Sequence, residues 1–138
     1  MTTYCFDTDV LSATMRRDPP LDLIRRLAAT PVTAQCITSI TLGELVFGAA
    51  KAGSDRLASR VRELVAGAVS VVPFDAAAAE VYGMLRAALE ADGKRLAEPD
   101  LRIASIALAR DLTLVTGNVR HFVRVPGLRV EDWLRPTR

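Results

Sequence analysis

This chain has one histidine, two cysteines and no long apolar run, and each shortage removes a class of function. With His121 alone, a two-histidine ribonuclease mechanism and any histidine-rich metal site are excluded. Cys5 and Cys36 sit in short apolar segments without the spacing of a zinc knuckle or a redox motif, so they read as small core residues in a reducing compartment. No stretch approaches the roughly twenty apolar residues that a membrane span requires. The N-terminus runs from Met1 into Tyr4-Cys5-Phe6 without a basic region. The expectation is a soluble, cytoplasmic protein with no membrane association. Eighteen basic against sixteen acidic residues leave a formal charge of only +2, so contact with a polyanion has to use local patches. A Walker loop, G-x-G-x-x-G and G-x-S-x-G are all absent, which removes nucleotide-switch, dinucleotide and serine-hydrolase readings.

What is present is enough for one core. A length of 138 residues, half of them hydrophobic, predicts a single domain spanning 1–138. Tyr4-Cys5-Phe6 reads as a strand ending on Asp7, with helical spacing taken up from Val10. Pro19-Pro20 breaks the chain, Leu23, Ile24, Leu27 and Ala28 form one face of a second helix, and Gln35 to Thr38 reads as a second strand. From Thr41, residues Leu42, Leu45, Val46, Ala49 and Ala50 make the stripe of a helix packed on a core. Gly53-Ser54 ends it and caps a helix over about Asp55 to Val65, and Val69 to Val72 is a β-branched third strand. Asp75 is the N-cap of an alanine-rich helix through about Ala91, stopped by Gly93. Pro99 starts a helix that is apolar nearly all round through Leu108, the pattern of a central buried helix. Leu112 to Thr116 is a fourth strand, and Leu128 to Val130 a candidate fifth. Alternating strands and helices predict a three-layer α/β/α domain with a central, mainly parallel sheet of four or five strands.

Ligands in such sheets bind beyond the carboxyl ends of the strands. Four polar residues fall there: Asp7 after the first strand, Glu44 in the first turn after the second, Asp100 in the first turn of the central helix, and Asn118 after the fourth strand. Each has a local explanation. Thr41-x-x-Glu44 has the spacing of a capping box, Asp7 or Asp9 and Asp100 suit helix N-termini, and Asn118 after Gly117 suits a turn. Together they point further, because carboxylates gathered at one edge repel by roughly 4 kcal/mol per close pair at intermediate dielectric, and a cation relieves that. Oxygen donors without histidine or cysteine suit Mg2+ or Mn2+. Such an ion can acidify water and neutralise a scissile phosphate, so the chemistry indicated is phosphoester hydrolysis.

Tyr4 to Ser12, Ile37 to Leu45, Pro99 to Ala104 and Leu114 to Phe122, followed by Val125-Pro126-Gly127-Leu128 and Glu131-Asp132-Trp133, resemble in order and spacing the motifs of PIN-domain ribonuclease toxins of the VapC family, from type II toxin–antitoxin systems. The resemblance implies a PIN-like fold and a metal-dependent endoribonuclease. It implies Asp7 and Asp100 as principal metal ligands, Glu44 completing the acidic cluster, and Asn118 at a fourth position where many relatives carry aspartate. Thr8, Ser39 and Thr116 match positions whose hydroxyls support the cluster, whereas Asp9 matches a variable one. A homodimer, a cognate VapB-type antitoxin and RNA as substrate, with tRNA the first choice, are further implications. The sequence itself offers candidate phosphate contacts at Arg102, Arg120, Lys94 and Arg95, and also at Lys51, Arg56, Arg60 and Arg124.

Two other readings stay open at this level. Phe6-Asp7-Thr8-Asp9 also fits the nucleophile and acid motif of haloacid-dehalogenase-type phosphatases, with Thr116 as the phosphate-binding hydroxyl, although the only lysines, Lys51 and Lys94, both precede Thr116. Alternatively, the neutral Asn118 suits a catalytically silent domain acting in a binding or repressor complex.

Overall fold

Strand β1 (Tyr4–Phe6) turns Phe6 to one face of the sheet and Cys5 to the other, and the remaining strands repeat that alternation. In β2 (Gln35–Thr38), Ile37 joins Phe6 and Cys36 joins Cys5; in β4 (Thr113–Val115), Val115 and Leu114 divide the same way. Strands β3 (Ser70–Val72) and β5 (Arg129–Glu131) complete a five-stranded sheet in the order β3-β2-β1-β4-β5. Every pairing is parallel, with Cys5 opposite Cys36 and Leu114, so the strands need helical crossovers that bury both faces. The structure is a computed structural model and describes residues 1–135.

Helices α1 (Thr8–Thr14), α2 (Leu21–Ala29), α3 (Ser39–Ala52) and α4 (Asp55–Ala66) supply Val10, Leu11, Leu23, Leu45 and Val61 to the core on the Phe6 face. Helices α5 (Ala76–Ala91) and α6 (Glu98–Ala109), with the short α7 (Val119–Phe122), supply Leu85, Leu89, Leu101, Ile103 and Phe122 to the other. The three-layer α/β/α architecture expected from the sequence is thus the one observed. The central helix α6 buries Leu101 and Ile103 to Ala107 without interruption, as its all-round apolar pattern requires. Asp75 caps α5 by accepting from Ala78 N at 3.0 Å, and Gly53, at φ +59°, closes α3 in the left-handed region. Among the described residues no helix is long and apolar enough to cross a membrane.

Helix α3 begins earlier than expected. Thr38, not Thr41, is its N-cap: Thr38 Oγ1 accepts from Thr41 N at 3.0 Å. The spacing Thr38-x-x-Thr41 competes with Thr41-x-x-Glu44 for the same role, and the earlier threonine wins because it ends β2 and is fully buried. Thr41 therefore lies inside the helix, no capping box forms, and Glu44 moves from the first turn to the second. The expected stripe is also narrower than its spacing suggested. Leu45 and Ala49 are buried, but Val46 is 51% exposed and lies with Ala50 along a groove between α3 and α4. Helix α7 and a 3-10 turn at Val32–Ala34 were not expected, being too short for periodicity to reveal.

Candidate active site

The chain leaves β1 in one direction to build β2 and β3, then returns to the other side of β1 to build β4 and β5. The order reverses between β1 and β4, and at such a switch point the connections diverge and open a crevice beyond the strand ends. Asp7 and Thr116 are the first residues past those two strands. They meet across the crevice: Thr116 Oγ1 donates to Asp7 Oδ2 at 2.8 Å, while Asp7 Oδ1 accepts from Thr8 N at 2.8 Å as the N-cap of α1. Asp7 N in turn donates to Val115 O at 2.9 Å. Thr116 is fully buried, and its Oγ1 also accepts from Asn118 N at 3.0 Å, which shapes the turn into α7.

Asp7 is 6% exposed, and burial pushes its carboxyl up to about 6; the negative charges of Asp9 and Asp100 push the same way, against the Thr116 and Thr8 hydrogen bonds. Asp100, in the first turn of α6, is also raised, first by burial, then by the charges of Glu44 and Asp9, with His121 opposing. Glu44 reaches the crevice across α1, where Thr8 Oγ1 donates to its Oε1 at 2.7 Å. The capping explanation for Glu44 is thereby removed. Asn118 holds His121 through Nδ2 and Nδ1 at 2.8 Å, so the lone histidine stands beside the acids without joining them.

Asp7, Asp9, Ser12, Glu44, Asp100 and Asn118 line one open cleft of about 500 Å³. Among the described residues no three acidic, histidine or cysteine side chains close on a single point as a ready-made ligand cage. Like charges held apart in an open cleft, with oxygen donors only, fit an ion that keeps several waters and is held by few carboxylates, which is the behaviour of Mg2+. The fit is with the donor set and with the neighbouring negative charges, which add to burial in raising Asp7 and Asp100.

A family model described as PIN domain matches residues 4–128. The chain belongs to the PIN domain family. Among its relatives is the tRNA(fMet)-specific endonuclease VapC of Shigella flexneri, 36% identical over 96% of this chain and 99% of that protein. Among solved structures, VapBC2 from Rickettsia felis bound to a DNA fragment from its promoter superposes with a TM-score of 0.86 at 30% identity, covering 96% of this chain and 99% of that one. The DNA-bound VapBC from Salmonella typhimurium does so at 0.84 and 33%, again over 96% and 99%.

Within this PIN domain the four expected polar residues share the cleft, as do Thr8 and, just beneath its floor, Thr116. Ser39 is placed elsewhere. Its Oγ accepts from Phe74 N at 3.3 Å, so it anchors the loop into α5 and touches no acid of the cluster. Most of the expected phosphate contacts also have internal tasks. Arg102 pairs with Glu98 at 3.3 Å and lies over Phe74 and Tyr82, Arg56 and Arg60 donate to carbonyls of Met15 and Thr14 at the end of α1, and Arg124 donates to Arg95 O. Lys94 and Arg95 line a separate hollow with Glu90 and Glu98. Arg120, exposed at the start of α7, has no ion-pair partner among the described residues.

Three members of this PIN domain's cleft, Ser12, Gly117 and Leu134, were not singled out from sequence. Ser12 stands one turn after Thr8 on the same face of α1, and that i, i+4 spacing was available as a signal. Leu134 had none, because it arrives from the far end of the chain. It is delivered by Trp133, which is buried, donates from Nε1 to Glu131 Oε1 at 3.0 Å, and lies under the Arg26 guanidinium at 4.6 Å from the ring centroid.

Proposed function

We propose that this protein is the toxin of a type II toxin–antitoxin pair, a metal-dependent endoribonuclease that uses Mg2+, or Mn2+ in its place, to hydrolyse phosphodiester bonds of RNA. The observation that carries the reading is the meeting of Asp7, Glu44 and Asp100 on one cleft at the β1–β4 switch point. The names of the relatives, endonucleases and toxin–antitoxin complexes, support the reaction class and a VapB-type antitoxin as partner. The same names favour tRNA as the substrate, and therefore the cytoplasm as the place of action. A homodimer and a single functional domain spanning the chain complete the proposal.

Asp7 and Asp100 are the residues assigned to hold the ion, with Glu44 completing the charge. When bound, the ion supplies positive charge against the scissile phosphate and a water of lowered pKa. The chain's own groups do the positioning. Thr116 fixes the orientation of the Asp7 carboxylate, Thr8 holds Glu44 Oε1, and the second Glu44 oxygen is left to orient a water by accepting its proton. The phosphatase reading loses its support here, because the Thr116 hydroxyl is fully buried and already shared between Asp7 and Asn118 N.

The test is cleavage of a tRNA pool by the purified protein in Mg2+, with RNA ends sequenced. Asp7→Asn and Asp100→Asn are expected to fold and to lower cleavage at least 100-fold, and EDTA to abolish it. Cleavage that persists in either variant or in EDTA would sink the mechanism, and a folded protein that cleaves no RNA but retains its partner would leave only a binding role.

A further inference from the structure

Asp9 is the acid of this cleft to which the motifs assign nothing, and it is bound into the site more tightly than its variable position suggests. It lies in the first turn of α1, two residues beyond Asp7, and its Oδ2 accepts from Gly117 N at 2.9 Å. This bond joins the segments after β1 and β4 a second time, parallel to the Asp7–Thr116 bond, across 108 residues of chain. Gly117 is shaped for it, since a Cβ there would stand 2.8 Å from Asp9 Oδ2. The other oxygen, Asp9 Oδ1, is buried and has no hydrogen-bond partner among the described residues, so it is not offered to the cleft as a ligand. An amide oxygen would make the same bond without the cost of burying a charge, so what the carboxylate adds at this position is its charge.

The charge has a use at this site. The fourth cleft position of this chain carries the neutral Asn118, whose amide is turned to His121. Asp9 lines the same cleft as Asp7, Glu44, Asp100 and Asn118, so its charge faces the place where those acids meet. We propose that Asp9 supplies the fourth negative charge of the cation site from outside the ligand shell, replacing the charge Asn118 lacks, and positions the Gly117–Asn118 turn through the same carboxylate. Asp9 acts through its neighbours and is a positioning residue. In the water-like dielectric of an open cleft, a unit charge acting on a divalent ion from outside its ligand shell changes binding by roughly tenfold.

The inference rests on the cation site proposed above, and the experiment separates the two. Mn2+ binding to the full-length protein is measured by calorimetry for the parent, Asp9→Asn, Asp9→Asn with Asn118→Asp, and Asp100→Asn, with melting temperatures in EDTA alongside. Asp9→Asn keeps the acceptor for Gly117 N and removes the charge. It is expected to weaken Mn2+ binding roughly tenfold while leaving the metal-free melting temperature unchanged or higher, and Asn118→Asp is expected to restore binding to within about threefold of the parent. Restoration by a charge at a different position is what a merely structural role would not give. Asp9→Ser, smaller and neutral, reads the same loss if Asp9→Asn does not fold. Binding by Asp9→Asn within twofold of the parent, or a loss that Asn118→Asp leaves unrepaired, overturns the proposal. If Asp100→Asn loses Mn2+ and Asp9→Asn does not, only the role of Asp9 falls; if Asp100→Asn binds as the parent does, the cation site falls with it.

Discussion

Thr116 donates a 2.8 Å hydrogen bond to Asp7 although the two residues are 109 positions apart, so the closure of β4 against β1 and the aim of the first acid are one event. Thr116→Val keeps the shape and removes the hydroxyl. The Asp7 carboxylate then loses a donor and Asn118 N loses its acceptor, in a place where Thr116 is fully buried. A loss of about 2–3 kcal/mol in urea unfolding is expected, with a larger proportional loss of RNA cleavage than of fold. Thr116→Ser is expected to recover most of both. Wild-type stability in Thr116→Val would show that the bond contributes nothing.

The raised carboxyl of Asp7 fixes the direction of a pH effect. Its folded value of about 6 lies above the ordinary 3.8, so between these pH values the native state holds a proton that the unfolded chain has released. The contribution to stability is present in full below the unfolded value and is lost as pH rises through about 6. A shift of that size corresponds to roughly 3 kcal/mol. In EDTA the parent is therefore expected to melt at lower temperature at pH 7 than at pH 5, and Asp7→Asn to flatten that difference and melt several degrees higher at pH 7. Mn2+ competes with the same proton, so its affinity should climb between pH 5 and 7. A parent protein in EDTA that becomes more stable over this interval would contradict the assignment.

Much of this was legible in the sequence, because the signals were local. The strand ending on Asp7, the buried helix opening at Asp100 and the turn at Asn118 each follow from short patterns, and parallel packing follows from their alternation. What was not legible depends on residues far apart in the chain. The switch point sits between β1 and β4 because of strand order, which no local pattern encodes. Arg56 and Arg60 looked like surface cations until Met15 and Thr14 were seen to face them. Glu44 shows the converse failure: a real local pattern at Thr41-x-x-Glu44 lost to an equally local one at Thr38, and a tertiary bond from Thr8 then took the side chain.

Gly117 is constrained by contact, not by its backbone angles. A methyl group there would meet Asp9 Oδ2 and Leu134 Cδ1, both at 2.8 Å. The leucine tip can swing aside, but the carboxylate cannot without giving up Gly117 N. Gly117→Ala is expected to cost about 1–3 kcal/mol and to weaken Mn2+ binding, both read on the same preparation. A fully stable, fully active Gly117→Ala protein would mean that the α1–β4 junction is looser than its contacts indicate.

Arg120 tests where RNA lies. It is exposed at the first turn of α7, two residues after Asn118, and lacks an ion-pair partner among the described residues, whereas Arg102 is paired with Glu98. A guanidinium so placed beside an acidic cleft can meet a phosphate of the bound strand and offset the repulsion between that strand and the carboxylates. In an Asp7→Asn background, which binds without cutting, Arg120→Ala is expected to weaken tRNA binding about tenfold at low salt. It should also reduce the slope of log affinity against log salt by about one. Arg102→Ala serves as the comparison, because removing it disturbs the Glu98 pair and leaves the slope unchanged. If instead Arg102→Ala lowers the slope and Arg120→Ala does not, the strand runs over the α5–α6 side of the cleft and the Glu98 pair opens to receive it.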